Sequence, residues 1–238
     1  MARVSIDIEL QAKCPRVALA CITAGVQTVA TPEGLDQALR SCEEKILQLA
    51  EPKTVLESAA ILATRAAYKA LGKDPARYRG SAEALLRRVI AGKGLPRINN
   101  VVDVINYVSV ESRLSVGLYD LAHVQGDIVF RAGRARETYK GIGKYDLNLE
   151  GLPVFCDALG PHGSPTSDSE RTMVTETTKK IVVIVISSRD RGITADGAAA
   201  RASHSAKFPL AATRRFIFAR KLKSPGLITG SRIKARCR

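Results

Sequence analysis

The sequence predicts a mixed α/β or α+β domain formed by residues 1–188. Amphipathic runs with helix-start signals fill residues 31–91, and short apolar runs separated by Gly-containing turns fill residues 116–186. Several helices followed mostly by strands are typical of such a fold. Of the 238 residues, 45% are hydrophobic and 25% are charged, as is usual for a globular protein that buries a core.

The N-terminal segment is predicted to form strands. Ser5–Leu10 alternates polar and apolar residues, which indicates a half-buried strand. Two more strand-like runs, 16–22 and 26–30, are separated at Gly25. No internal repeat is apparent.

Helices are predicted next. Residues 31–33 (Thr-Pro-Glu) supply an N-cap hydroxyl, a proline at the first helical position and an acid in the first turn, so a helix begins there and ends before Pro52. Residues 54–57 form a capping box before an Ala-rich helix that reaches Gly72. After a loop, an amphipathic helix spans residues 81–91 and directs its arginines outward.

Residues 99–110 are ambiguous from their pattern. Val and Ile dominate, which favours a strand, yet Asn100, Asp103, Asn106 and Tyr107 fall on one face of a helix. Later strands are predicted from four apolar runs, at residues 116–121, 127–131, 152–157 and 181–186.

The net charge of +14 is unevenly distributed. Residues 1–188 contain 24 Lys/Arg and 21 Asp/Glu, whereas residues 189–238 contain 13 and 2, so the tail holds most of the excess. We therefore divide the chain into a domain at 1–188 and a basic tail at 189–238. The tail's composition leaves three interpretations open: a nucleic-acid-binding arm, a disordered extension, or sequence unrelated to the usual end of the domain.

Several classes are disfavoured by composition. No apolar run approaches the ~20 residues of a membrane-spanning helix, and Met1–Ser5 lacks the apolar region of a secretory signal. The five Cys form no C-x-x-C pair, and the three His are far apart, so neither a disulfide framework nor a zinc site is expected. We expect a cytoplasmic protein without metal or other cofactor, and without an obligate protein partner.

The segment at residues 160–172 is the strongest candidate for chemistry. It combines Gly, Pro, hydroxyl and carboxylate residues between two apolar runs that resemble buried strands. A polar loop held by rigid elements commonly presents functional groups. The alternative is a solvated connection of Asx and Ser/Thr turns.

Three blocks together resemble one family. They are Arg97–Tyr107 (RINNVVDVINY), Gly117–Leu121 (GLYDL) and Asp157–Thr172 (DALGPHGSPTSDSERT). They resemble the tRNA-editing module of the bacterial phenylalanyl-tRNA synthetase beta subunit, which is called the B-three/B-four domain. They resemble the free-standing relatives of this module more closely still. The resemblance covers roughly residues 78–186. It implies a mixed β-sheet with flanking helices and a pocket between an Asn-rich helix (residues 99–110) and the polar segment at residues 160–172. It also implies hydrolysis of a mischarged aminoacyl-tRNA.

The chain departs from the family at one important position. Where the synthetase module has a His, this chain has Gly117, which is expected to enlarge the pocket and to remove a hydrogen-bonding group. The family's glutamate has no in-register match, and Glu170 is the nearest candidate. Substrate choice and activity therefore do not transfer automatically.

To hydrolyse an activated ester, a site must hold the ester in place, position one water molecule and supply hydrogen-bond donors to the developing oxyanion. A Ser–His–Asp arrangement is not needed. We expect two catalytic residues: Asn106, orienting the ester or ribose, and Glu170, holding water or the substrate amine. The alternatives are a satisfied polar residue on a partly exposed helix face for Asn106 and an ordinary surface acid of a loop for Glu170. The expected substrate-binding residues are Asn99, Asn100, Asp103, Gly117, Gly163, Ser164, Thr166, Ser169 and Arg171. Helix-start, turn and bracing roles remain open for most of them.

The predicted RNA contacts are basic. Arg79, Arg87, Arg88, Lys93 and Arg97 form a cluster that could contact phosphates or simply be a solvated face. Single-stranded recognition usually adds aromatic stacking, for which Tyr78 and Tyr107 are the best-placed candidates.

The leading interpretation is a protein that binds the aminoacyl end of tRNA and could hydrolyse a mischarged amino acid. Two others remain open: a non-catalytic RNA- or small-molecule-binding module with the same fold, and an enzyme acting on free amino-acid derivatives.

Overall fold

A computed structural model describes residues 2–188, so the predicted tail at 189–238 lies outside the described residues. The helices are α1 (Ile8–Lys13), α2 (Glu33–Leu47), α3 (Ala59–Ala70), α4 (Ser81–Ile90) and α5 (Asn100–Ser112). The strands are β1 (Val4–Ile6), β2 (Val17–Gly25), β3 (Ser115–Asp120), β4 (Ile128–Ala132), β5 (Thr138–Lys140), β6 (Asp146–Asn148), β7 (Pro153–Asp157), β8 (Gly160–Gly163) and β9 (Lys180–Ser188). Helices and strands in this order confirm the predicted α+β class.

The strands form two larger sheets and a hairpin. One sheet has the order β1-β4-β7-β8, in which β1 and β4 are parallel and the other pairs are antiparallel. The other has the order β2-β9-β3 and is antiparallel throughout. The short strands β5 and β6 form the hairpin. The first sheet is therefore mixed, as the resemblance implied.

The sheet β2-β9-β3 is covered on both faces, so its central strand β9 is almost continuously apolar. Tyr119, Val182 and Ile184 face the four-stranded sheet and pack with Phe130 and Phe155. The alternate residues of these strands face α5, in a cluster formed by Val26, Val101, Ile105, Ile181 and Val183. A third cluster joins α2, α4 and α5, with Leu39, Leu86 and Val110 completely buried.

The prediction was wrong for two N-terminal segments. The alternating run at residues 5–10 is split by Asp7, whose carboxylate caps α1 by accepting hydrogen bonds from the backbone N–H groups of Glu9 and Leu10. The expected break at Gly25 is the end of one long strand, and residues 26–30 form no strand. An Asp with an extended backbone starts a helix more effectively than a weak alternation sustains a strand.

Two helix assignments also needed the tertiary structure. The capping box at residues 54–57 lies in a 3₁₀ turn, where the Thr54 hydroxyl donates to Glu51 O instead of capping a helix. The ambiguous segment at residues 99–110 is helical, because Asn99 caps α5 and the helix packs on the sheet. Strands β5, β6 and β8 have no counterpart in the predicted pattern.

Candidate functional site

The loop that joins β8 to the 3₁₀ turn at Glu170–Thr172 is held by its own hydroxyl groups. The Ser164 hydroxyl accepts hydrogen bonds from the N–H groups of Thr166 (3.3 Å) and Ser167 (3.0 Å) and donates to Ser167 O (2.7 Å). Ser164 N donates to Asp168 Oδ1 at 3.2 Å. These are the Ser/Thr and Asx turns that the sequence left open as the alternative to a binding role.

This late loop, residues 164–169, is tied to three parts of the fold. The hydroxyls of Tyr68 on α3 and Thr166 lie 2.5 Å apart. Tyr139 on β5 donates a hydrogen bond to Ser167 O. Ser81 N, at the start of α4, donates to Pro165 O at 2.7 Å. The loop is therefore pre-organised by rigid elements.

Gly117 does not open the space that its lack of a side chain suggested. A Cβ atom at Gly117 would lie 2.5 Å from the Tyr119 hydroxyl, and one at Gly163 would lie 2.2 Å from it. Residues i and i+2 of a strand share a face, so the Tyr119 ring fills the volume beside Gly117. The expectation of an enlarged pocket at this position is corrected: the two glycines make room for a buried tyrosine.

The buried Tyr119 ring lies in a polar corner of the core. Its hydroxyl donates to Asp168 Oδ1 at 2.9 Å, and its ring meets His162 edge to face at 4.6 Å between centroids. Burial and the nearby Asp168 carboxylate raise the pKa of Tyr119 well above its usual value. Desolvation raises the pKa of Asp168 to about 7, although part of the residue remains accessible. Asp168 is therefore a carboxyl group that titrates near neutrality.

His162 lies inside the same corner and is completely buried. Burial lowers its pKa to about 4, so the imidazole is neutral at physiological pH. Within residues 2–188, His162 Nε2 and Ser169 Oγ have no hydrogen-bond partner. The expected substrate-binding residue Ser169 is thus an interior side chain rather than part of a surface pocket.

A cavity of about 290 Å³ borders the late loop at Pro165. Its walls are mainly apolar and come from the Ala-rich helix α3, from α1, from strand ends and from Pro165 of the loop. Ala63, Ala67, Leu71, Phe130 and Ile186 are among the residues that line it. This volume is about twice that of an engineered cavity that binds benzene, so it suffices for a large apolar side chain.

Few of the side chains that line the cavity are polar. Thr64, Ser115 and Tyr68 bring hydroxyl groups, and Lys13 and Arg16 bring positive charge. None of the described residues that line the cavity carries a carboxylate or an imidazole. An apolar space with a few polar groups is typical of a small-molecule site.

The expected substrate-binding residues at the start of α5 are occupied within the fold. Asn99 caps the helix by accepting from Val101 N and Val102 N. Asn100 bonds the backbone of Gln27 and Val29 through its side-chain amide. The completely buried Asp103 accepts from the Thr31 hydroxyl at 2.5 Å and from Ile98 N at 2.9 Å. These contacts support the helix-start and bracing roles.

The two expected catalytic residues are not brought together by any described contact. Asn106 is half-buried on α5, and the inner side of α5 packs on the face of the sheet opposite to Gly117 and Tyr119. Glu170 is partly exposed and forms an ion pair with Lys140 at 3.0 Å. Neither residue is among those that line the cavity.

Arg171 braces the β7–β8 turn. Its guanidinium donates two hydrogen bonds of 2.9 Å to the buried carboxylate of Asp157, and others to His123 O and Gly160 O. Desolvation opposes the ionised form of Asp157, but these and other hydrogen bonds dominate and lower its pKa. The guanidinium expected to bind substrate is therefore engaged in the fold.

The predicted basic cluster is partly neutralised. Arg97 pairs with Asp36 (2.6 Å) and Glu43 (2.8 Å), and Arg87 pairs with Glu83 (2.8 Å). Arg79, Arg88 and Lys93 are exposed. Arg79 adjoins Gly80, where a Cβ atom would lie 2.6 Å from the hydroxyl of Ser115 and 3.0 Å from Thr64, two residues that line the cavity. The predicted basic cluster therefore begins close to the cavity.

Sequence reasoning missed the aromatic residues that organise the site. Tyr68, Tyr119 and Tyr139 each contact the late loop from a different element. A signal existed for Tyr119, since strand alternation places it on the face of Gly117. Asp168 lay within the segment identified as the strongest candidate, but its burial could not be read from the sequence.

Two further searches concern the described part of the chain. Every helix within residues 2–188 is too short or too polar to cross a bilayer. Over the same residues, no group of three or more His, Cys, Asp or Glu side chains is arranged to hold a metal ion.

Comparisons with known proteins place this geometry in a family. The family model described as "B3/4 domain" matches residues 63–207, more than half of the chain. A phenylalanine–tRNA ligase beta subunit of Rhodopirellula baltica is 34% identical over 113 residues, which are 44% of this chain and 16% of that subunit. This chain thus corresponds to only a small part of the relative's length.

A solved structure is also similar. It is an N-terminal fragment of the phenylalanyl-tRNA synthetase beta subunit from Pyrococcus horikoshii, with a TM-score of 0.43 and 16% identity over 86% of this chain and 48% of that one. The family match and the synthetase relative confirm the resemblance carried by the three sequence blocks. The chain belongs to the B3/4 domain family and is a relative of that domain in the phenylalanyl-tRNA synthetase beta subunit.

Proposed function

We propose that the protein binds the aminoacyl end of a tRNA, takes the amino-acid side chain into the cavity and hydrolyses the ester of a mischarged tRNA. The observation that carries the proposal is the apolar cavity of about 290 Å³, which is lined in part by Pro165 of the late loop. Its lining residues Ser115 and Thr64 lie close to Gly80, the neighbour of the exposed Arg79. Membership of a family that includes a domain of an aminoacyl-tRNA ligase supports the choice of tRNA. Such a partner also favours a cytoplasmic location.

The chemistry asked of the site is modest. An aminoacyl ester is already activated, so binding the side chain in the cavity and holding the ester at its rim removes much of the entropic barrier. Since the described cavity lining contains no imidazole or carboxylate, the water would be oriented by neutral donors and by the ribose hydroxyl of the substrate. Asn106 and Glu170 stay proposed catalytic residues whose roles need a separate test.

A second candidate, a binding module without hydrolysis, is favoured by one observation. Tyr119 fills the space beside Gly117, the position where the resemblance places a family histidine. The site therefore contains neither that imidazole nor an opening in its place.

The test is a deacylation screen of charged and mischarged tRNAs with the purified protein and matched variants. Ala63→Phe would fill the cavity, whereas Ala59→Phe places the same ring at an exposed position of α3 that does not line it. We expect loss of hydrolysis in Ala63→Phe and normal hydrolysis in Ala59→Phe. Asn106→Ala and Glu170→Ala test the separate catalytic roles proposed for these residues, and reduced hydrolysis in either variant would place part of the reaction outside the cavity lining. Binding of tRNA without any deacylation would select the second candidate, and absence of both would refute the proposal.

A further inference from the structure

We propose that the tip of the β5–β6 hairpin, residues 140–145, is a stacking platform for an unpaired base of an RNA strand. This inference rests on the proposed RNA partner and adds a contact surface that the sequence did not indicate. Tyr145 carries the argument: 92% of it is exposed, more than of any other large hydrophobic residue in the described part of the chain.

The other tyrosines offer no comparable surface. Tyr68, Tyr119 and Tyr139 are buried in the core. Tyr107 is half-buried against the helical cluster, and Tyr78 is half-buried with the cations of Lys73 and Arg77 over its ring. The stacking candidates indicated by the sequence are therefore less accessible than Tyr145. Base stacking on an exposed aromatic ring is how proteins commonly hold single-stranded RNA.

The hairpin positions Tyr145 outward on a fixed base. Tyr139 and Leu147 pair across the strands and turn toward a buried cluster, which anchors the hairpin. The tip is a Gly-Ile-Gly turn in which Gly143 has a φ of +62°, a conformation that glycine adopts readily. Ile142, which is 46% exposed, adds apolar surface beside the tyrosine.

Charge near the ring is mixed, so stacking rather than phosphate attraction would dominate. The Lys144 ammonium donates to the neutral Ser167 hydroxyl at 3.2 Å. Lys140 is paired with Glu170 at 3.0 Å, and the acidic Asp146 follows Tyr145 in the chain. One lysine beside an exposed ring, with the Asp168 carboxyl group as its electrostatic neighbour, suits a nucleotide with a single phosphate contact.

The hairpin tip and the cavity border the same loop. Ile142 N donates to Asp168 O at 3.1 Å, and Lys144 reaches Ser167, so the tip rests on the late loop. Pro165 of that loop forms part of the cavity wall. The late loop, which has six residues, thus contacts both the cavity and the hairpin tip. An RNA strand whose aminoacyl group enters the cavity would therefore find the stacking surface on the same loop.

The experiment measures binding of a short labelled single-stranded RNA and of uncharged tRNA by fluorescence anisotropy. The full chain is used at about 0.3 M salt, where the attraction of the basic tail for phosphates is screened. We expect Tyr145→Ala to weaken binding about 5- to 100-fold, Tyr145→Phe to bind like the wild type, and the salt dependence to stay unchanged in both. Lys144→Ala should instead reduce the salt slope by about 1.

The matched control is Ile8→Ala, since Ile8 is an apolar residue that is 82% exposed on α1. Equal affinity of Tyr145→Ala and wild-type protein would overturn the inference, as would an equal loss in Ile8→Ala. If Tyr145→Ala both binds RNA normally and retains deacylase activity, the stacking platform is refuted and the hydrolase proposal is not. RNA binding that depends on Tyr145 in a protein without deacylase activity supports the platform and refutes only the hydrolase proposal.

Discussion

The Tyr119 hydroxyl donates a hydrogen bond of 2.9 Å to Asp168 Oδ1 and so connects strand β3 to the late loop. The ring reaches the carboxylate because Gly117 and Gly163 leave the necessary volume on either side. The sequence alone suggested that Gly117 opens a pocket, but the Tyr119 ring fills the space beside it. Four predictions follow from this and related contacts.

Tyr119→Phe removes the donor and leaves the Asp168 carboxyl with the Ser164 N–H at 3.2 Å. We expect a loss of about 1–3 kcal/mol in the free energy of unfolding at neutral pH, because a buried acceptor loses its partner. Urea denaturation measures this loss. Tyr145→Phe, at an exposed position, is the control and should be neutral; equal stabilities for all three proteins would contradict the assigned hydrogen bond.

Asp168 should make the stability of the protein fall as the pH rises. Its pKa is about 7 in the folded protein, above the ~3.9 of an unfolded chain, so the folded state binds more protons between these values. The stabilisation is present below pH ~4 and is lost as the pH approaches 7, by at most about 4 kcal/mol. Asp168→Asn should remove this decline.

The comparison with Asp168→Asn is needed because His162 acts in the opposite direction. Its folded pKa of about 4 lies below the usual 6.5, so its contribution to stability increases as the pH rises from 4 to 6.5. Urea midpoints from pH 4 to 8 for wild type and Asp168→Asn isolate the Asp168 contribution. Parallel pH profiles of the two proteins would show that Asp168 keeps an ordinary pKa.

Gly117→Ala should destabilise the protein, since the new methyl group would meet the Tyr119 hydroxyl at 2.5 Å. The expected loss is about 1–3 kcal/mol, typical of overpacking. Gly34→Ala is the matched control, because a Cβ atom there meets nothing within 4 Å and α2 should gain helix propensity. Thermal melts of both variants test this, and a neutral Gly117→Ala would indicate that the ring moves aside easily.

Substitutions of Arg97 and Lys93 should distinguish a positive charge that stabilises the fold from one that contacts RNA. Arg97→Ala is expected to reduce stability by about 1–2 kcal/mol, since its guanidinium holds Asp36 and Glu43 together. Lys93→Ala should leave stability within about 0.5 kcal/mol and reduce the salt slope of tRNA binding by about 1. The reverse pattern in denaturation and binding titrations would place the phosphate contact at Arg97.

The general architecture was predictable because local signals there agree with the tertiary context. The first long helix begins within two positions of the predicted start, although Pro32 is its N-cap and the Thr31 hydroxyl donates to Asp103 instead of capping the helix. Helix α4 has Leu86 and Val89 inside with both arginines outside. Signals failed where two local structures compete over few residues. Asp7 ends a strand by capping a helix, and residues 54–57 form a 3₁₀ turn despite their capping-box pattern.

The candidate site was predictable in location but not in the roles of its residues. The late loop is held by rigid elements on both sides, as its position between apolar runs indicated. Its hydroxyls, however, bond mainly within the fold, and Arg171 is bound by Asp157. Pairings across long stretches of chain, such as Tyr68 with Thr166, depend on packing that periodicity does not encode.

By itself, the sequence determined the fold class, the family and the uneven distribution of charge, because these follow from local periodicity, recognisable motifs and composition. Only the tertiary structure decided what fills the space at Gly117, which carboxyl groups are desolvated, which arginines remain available and which tyrosine faces solvent. These properties depend on which side chains converge from distant segments. The pKa and the exposure of each side chain then depend on the neighbours that folding brings around it, through desolvation and hydrogen bonding.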